Sequence, residues 1–238
     1  MQKLGDKHRY SVVDRCLRFT SIRLRSRPEA APYAEGLKKH RATLRAKSDA
    51  YLDAYEERVA TGYEIAYLDS RLDRAVIVDL KRDVAALLGK LANGEQLEKK
   101  LFQGVAPSAG MAPVADEAQS GYVAGITSRL ETDPDFAPVA SHAKKLRKLQ
   151  KSIDEALTRR KDQRVTERLA YGDLDEALEE ARREYNQLHA RMTLAFPTDG
   201  ALVESFFVAL KKRGGTESEG GAEDGAPDAP VDGPPDEG

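Results

Sequence analysis

The chain matches itself when displaced by 106 residues. Arg23-Leu24, Pro28, Ala31-Pro32, Ala34, Lys38-Lys39 and Arg41 fall on Arg129-Leu130, Pro134, Ala137-Pro138, Ala140, Lys144-Lys145 and Arg147. Ala50 then falls on Ala156, and Arg58-Val59 on Arg164-Val165. Positions 23–59 give 12 identities in 37 without a gap. After a two-residue slip Ala66-Tyr67 and Asp69 meet Ala170-Tyr171 and Asp173, and Gly94 and Glu98 return on Gly200 and Glu204. Solenoid arrays repeat every ~20–50 residues, so a period this long predicts two copies of a roughly 100-residue unit. The expected organisation is a first unit over 1–104, a Gly/Ala/Pro linker over 105–115, and a second unit over 116–213 that packs with the first into one core. An acidic tail over 214–238 follows.

Each copy reads as helices. A short first helix is expected over 8–24 and again over 116–131. Proline lacks an N–H and restricts the residue before it, yet it suits a first helical turn. Pro32 and Pro138 should therefore open a long second helix in each copy. Leu37, Leu44, Tyr51 or Leu52, Tyr55 and Val59 mark its apolar face in copy one at helical spacing. A third helix follows from Leu68, Leu72, Val76, Leu80, Val84, Leu87 and Leu91, matched by Leu174, Leu178, Ala181, Tyr185, Leu188 and Met192. The turn between helices two and three is placed near 62–70 and 168–173, with Asp173 and Glu176 as a capping box. Short helices near 95–103 and 200–211 close each copy. Ala75-Val76-Ile77-Val78 is β-branched, but its charged flanks read as helix, so no strand is expected. The fold class is all-α: an antiparallel helical bundle, pseudo-twofold if the copies pack alike.

Composition narrows the function classes. One cysteine in 238 residues makes neither an internal disulfide nor a Cys-based zinc site. No apolar run reaches the ~18 residues of a membrane helix. The opening MQKLGDKHRY lacks the apolar core of a secretory signal. The expectation is a cytoplasmic protein without a membrane partner.

The formal net charge of −2 conceals an alternation. Residues 1–47 carry +9, 48–143 carry −7, 144–168 carry +6, 169–213 carry −2 and 214–238 carry −8. The last segment has eight acids, no base and one branched aliphatic residue, Val231. Such a segment buries too little apolar area to offset its ordering entropy, so a disordered tail is expected. It either solubilises the body or docks as an electrostatic mimic on a basic face. The repeated Lys38, Lys39, Arg41 and Lys144, Lys145, Arg147 are the candidate binding residues for nucleic acid or another polyanion. The competing reading pairs basic helices with acidic ones inside the molecule.

Catalytic and cofactor motifs are missing. His8, His40, His142 and His189 include no Glu-x-x-His pair of the di-iron bundle type. Gly89-Lys90 lacks the first glycine and the hydroxyl of a phosphate-binding loop, and no Gly-x-Ser-x-Gly occurs. Cys16, near Val12, Val13 and Phe19, reads as a small buried hydrophobe more readily than as a reactive thiol. Tyr51, Tyr55, Tyr63 and Tyr67 step by four, which turns ~40° past a full turn each time. They read as packing between neighbouring helices, with a base-stacking row as the alternative. No cofactor and no metal is expected.

The preferred function is a non-enzymatic helical scaffold or adaptor acting on a protein partner or on a second copy. The alternative is nucleic-acid or polyanion binding through duplicated basic patches that the acidic tail modulates. A helical-bundle enzyme without a recognisable motif stands third.

Overall fold

A computed structural model describes residues 3–89, 91–111 and 117–209. Residues 112–116 of the expected linker and the whole 214–238 segment lie outside them. All regular structure among the described residues is helical. The helices are α1 (Tyr10–Arg25), α2 (Ala34–Asp73), α3 (Lys81–Leu88), α4 (Gly94–Leu101), α5 (Pro107–Gly110), α6 (Glu117–Thr132), α7 (Ser141–Ala195) and α8 (Gly200–Ser205). A 3-10 turn over Ala31–Tyr33 leads into α2, and another over Pro134–Val139 precedes α7. Pro32 and Pro138 lie in these turns, so each long helix starts just after its proline. Asp133 and Asp199 do the capping, accepting from the Asp135 and Leu202 amides at 3.2 and 2.9 Å.

The turns expected at 62–70 and 168–173 do not form. α2 runs through the first and α7 through the second. Both segments lack proline, and their weakest helix formers are single glycines, Gly62 and Gly172. One glycine costs a helix about 1 kcal/mol, too little to stop it. Asp173 is therefore a mid-helix residue rather than a cap, and its carboxylate takes Lys47 Nζ at 2.6 Å.

Between α2 and α3 the backbone widens into a π-helix over Arg74–Leu80 without leaving the helical path. The reason is in the apolar stripe. Leu72, Val76, Leu80, Val84 and Leu88 are all buried, and they are spaced by four throughout. In a helix of ~3.6 residues per turn, four such steps overshoot by ~160° and would carry Leu88 away from the core. A π turn closes with i→i+5 hydrogen bonds and holds more residues, so a step of four there falls short of a full turn. The two errors offset one another. The β-branched run at 75–78 is the part that widens.

Packing divides the chain into two units, and these are not the sequence repeats. Unit 1 comprises 1–54 and 167–238, and unit 2 comprises 55–166. Apolar side chains gather in two clusters, one per unit, where the sequence suggested one core. In unit 1, Val13, Leu17 and Leu24 of α1 and Leu37 and Leu44 of α2 pack with Tyr185, Leu188 and Met192 of α7. The Tyr185 ring meets Phe207 edge-on at 5.3 Å, and its hydroxyl accepts from the Val208 amide at 3.3 Å. In unit 2 the π-containing stripe packs with Val123, Ile126 and Leu130 of α6, Phe136, and Leu146 and Ile153 of α7. Residues 105–111, expected as linker, are partly built into that cluster: Met111 is buried, and the buried Tyr122 donates to the Val105 carbonyl at 3.3 Å. Between Ile153 and Ala156 on one side and Leu174 on the other, α7 has no buried residue.

Candidate functional site

Unit 1 carries a groove of about 410 Å³ between α1 and the start of α2. Arg18, Ser21, Ile22 and Arg25 line it from α1, and Lys38, Arg41, Ala42 and Arg45 line it from α2. Positions 18, 22 and 25 share one helical face, as do 38, 41, 42 and 45. Each helix turns its apolar stripe to the core, so these flanking positions meet at the rim of the helix–helix contact.

Two of the cations are held in place. Arg41 reaches Asp14 through Nε at 2.9 Å and Nη2 at 3.3 Å, and Arg45 reaches it through Nε at 3.0 Å and Nη2 at 3.2 Å. A carboxylate offers about four lone-pair sites, so the two forks saturate it. Burial opposes the Asp14 charge, but the Arg45 and Arg41 hydrogen bonds outweigh it and hold the carboxyl below the usual range. The Asp14 bond in turn raises the Arg45 guanidinium further. Arg25 is steadied by its own helix, with Nε donating to the Ser21 carbonyl at 3.3 Å. Arg18 and Lys38 have no hydrogen bond or ion pair among the described residues. Five cations thus line the groove and no carboxylate does, with Asp14 paired to Arg41 and Arg45 and the Asp49 charge acting on Arg45 as well. Its floor is apolar, formed by Ala42 and by Ile22, which is 50% exposed.

The repeated cations have different fates. Lys38 and Arg41 line the groove, whereas Lys39 is exposed and outside it. In unit 2, Lys145 pairs with Asp79 at 2.7 Å and Arg147 with Glu131 at 2.5 Å, and Lys144 is exposed. Positions 106 residues beyond Arg18 and Arg25 hold Ala124 and Glu131, so the unit 2 cations meet an acid where the unit 1 cations meet more cations. Arg18, Ile22, Arg25 and Arg45 were not singled out from the sequence. Their signal was there as i, i+3, i+4 and i+7 spacing within the basic 1–47 stretch.

The remaining candidates lie apart from the groove lining. Cys16 is fully buried in unit 1, and burial pushes its thiol up. His142 Nε2 lies 3.0 Å from Asp83, His189 Nε2 lies 2.9 Å from Glu204, and His8 Nδ1 accepts from the Gly5 amide at 2.9 Å. No cluster of His, Cys, Asp or Glu suited to a metal occurs among the described residues. No helix among them is long and apolar enough to cross a membrane. The tyrosine ladder leaves the core as it climbs. Tyr51 is buried edge-on against Tyr171 at 5.6 Å, whereas Tyr63 and Tyr67 are 75% and 61% exposed. Comparison of the chain with family models, curated proteins and solved structures finds no match.

Proposed function

We propose that the chain is a duplicated, non-enzymatic helical adaptor whose docking surface is the α1–α2 groove of unit 1, and that it takes an acidic protein segment there. The groove carries this reading: three cations beyond those Asp14 engages, around an apolar floor. A phosphate backbone needs the cations but not the floor. A peptide that places an aliphatic side chain between carboxylates uses both.

The frame fits a duplication. Every buried position of α1, namely 13, 16, 17, 20, 21 and 24, has a buried counterpart 106 residues on in α6, at 119, 122, 123, 126, 127 and 130. Leu97 and Leu101 of α4 have buried counterparts in Val203 and Phe207. On this reading each packing unit takes its first helices from one repeat and its last from the other. An antiparallel arrangement within each unit is supported by contacts that descend in one helix as they climb in the other. In unit 1, a Cβ on Gly36 would meet Glu184, while Lys47 pairs with Asp173. In unit 2, Arg159 pairs with Glu64 at 2.7 Å and Lys145 with Asp79.

The test is a titration of the full chain with a labelled peptide of alternating glutamate and leucine, beside a single-stranded oligonucleotide of equal charge. The peptide is expected to bind, and Arg18→Glu with Arg25→Glu to weaken it at least tenfold while helix content holds. Binding of the oligonucleotide alone would assign the groove to nucleic acid. Peptide binding that ignores the double variant would place the docking surface elsewhere.

A further inference from the structure

We infer that the groove is occupied in cis by the chain's own acidic segment 223–237, which competes with any partner. This inference rests on the groove being a docking surface for acidic segments, and it adds the identity of the resident occupant.

Charge complementarity is the first argument. Arg18, Arg25, Lys38, Arg41 and Arg45 line the groove and no carboxylate does, while Asp14 pairs with Arg41 and Arg45 and the Asp49 charge acts on Arg45 as well. Segment 223–237 carries Glu223, Asp224, Asp228, Asp232, Asp236 and Glu237 and no base. Shape is the second. Val231, the one branched aliphatic residue of 214–238, stands between Asp228 and Asp232, so one apolar side chain flanked by carboxylates faces a floor of Ile22 and Ala42 flanked by cations. Pro227, Pro230, Pro234 and Pro235 fix their φ angles and disfavour helix in their neighbours. An extended segment that is already restricted loses less entropy on docking.

Reach is the third argument. The last described residues are fastened to unit 1: Val208 is bonded to Tyr185, and the Ser205 carbonyl accepts from Arg23 of α1, the helix that forms one wall of the groove. From Ala209 to Glu223 the chain spans up to ~46–50 Å, about four times the ~10–12 Å width of a helix. A segment tethered at this range has an effective concentration of ~1 mM. Against an intrinsic dissociation constant of ~0.1 mM, such tethering fills the groove about nine-tenths of the time and weakens a competing peptide about tenfold.

The experiment uses two full-length chains, the native one and one in which the six acids of 223–237 are converted to Gln or Asn. A labelled synthetic peptide of native sequence 223–237 is titrated into each at low salt. The neutralised chain is expected to bind it about tenfold more tightly than the native chain, and Arg18→Glu with Arg25→Glu in the neutralised chain to abolish the gain. Equal binding by both chains would overturn the inference and leave the groove reading standing. No binding by either would overturn both. A gain that survives the groove variant would show that the segment docks elsewhere. Carbodiimide coupling of the native chain gives an independent readout. An amide between Lys38 and a carboxyl of 223–237 should appear within one molecule and disappear at 1 M salt, where the Debye length is only ~3 Å. Coupling only between molecules would overturn the cis assignment.

Discussion

Deleting Val78 should leave the protein folded, although it removes a residue from the middle of a continuous helix. Val78 is half exposed and lies inside the π segment Arg74–Leu80. Removing it shortens the step from Val76 to Leu80 from four residues to three. Over the stripe Leu72, Val76, Leu80, Val84, Leu88 the overshoot then falls from ~160° to ~60° at ~3.6 residues per turn. That lies within the ≳100° width of an apolar face, so an ordinary α-helix can replace the wide turn with all five side chains still inside. The Lys145–Asp79 and His142–Asp83 pairs lie beyond the deletion and keep their register. The expected change in stability is within about 1 kcal/mol. The control is deletion of Glu180, an exposed residue of α7 where no wide turn exists to absorb it. There the helix beyond the cut rotates by ~100°, taking Tyr185, Leu188 and Met192 out of the unit 1 cluster. At ~1.5–3 kcal/mol per buried side chain the loss is roughly 5–9 kcal/mol, comparable with the whole stability of a domain. Urea denaturation followed by far-ultraviolet circular dichroism measures both. If the Val78 deletion unfolds as readily as the Glu180 deletion, the period-four account of the π-helix is wrong.

Asp14→Asn should cost about 1 kcal/mol at neutral pH, since Arg41 and Arg45 lose their shared partner while staying solvated. Because the folded carboxyl lies below its ordinary value, that contribution is present above an unfolded value near ~3.9. It is lost as pH falls through the folded value, so wild-type and variant urea midpoints should converge only in that acid range. Cys16 should resist maleimide under native conditions and react once urea unfolds unit 1, because its thiol is buried and pushed up. Rapid native labelling, counted by mass spectrometry, would contradict that burial.

Much of the helix layout is visible in the residues. Pro32 and Pro138 announce the starts of the long helices because ring closure fixes φ and removes a donor. The 10–25 and 117–132 helices follow from apolar spacing. The turn inside each long helix rests on helix length, on the two-residue slip between the copies and on a capping-box reading of Asp173 and Glu176, but 62–70 and 168–173 hold no proline to enforce it, and the backbone stays helical there. The π segment carries a readable mark, a stripe spaced by four throughout, which drifts around an ordinary α-helix just as the tyrosine ladder does. Sequence similarity says which segments are alike, not which pack together, so the discontinuous make-up of unit 1 was not legible. The groove was half legible. Lys38 and Arg41 stand in the repeat, but counting charge along one segment cannot show that Arg18, Ile22 and Arg25 of another helix face them.

The discontinuity of unit 1 sets a timetable for synthesis. Its core joins residues 4–51 to residues 174–207, whereas the unit 2 core is complete within 72–153. At ~5–20 residues per second, the ribosome takes about ten to thirty seconds to travel from residue 54 to residue 209. Through that interval α1 has emerged with Val13, Cys16, Leu17 and Leu24 and no Tyr185 or Phe207 to receive them. The internal unit can fold first on its own contiguous sequence, and the nascent amino-terminal helices wait as clients for whatever chaperone shields exposed aliphatic surface.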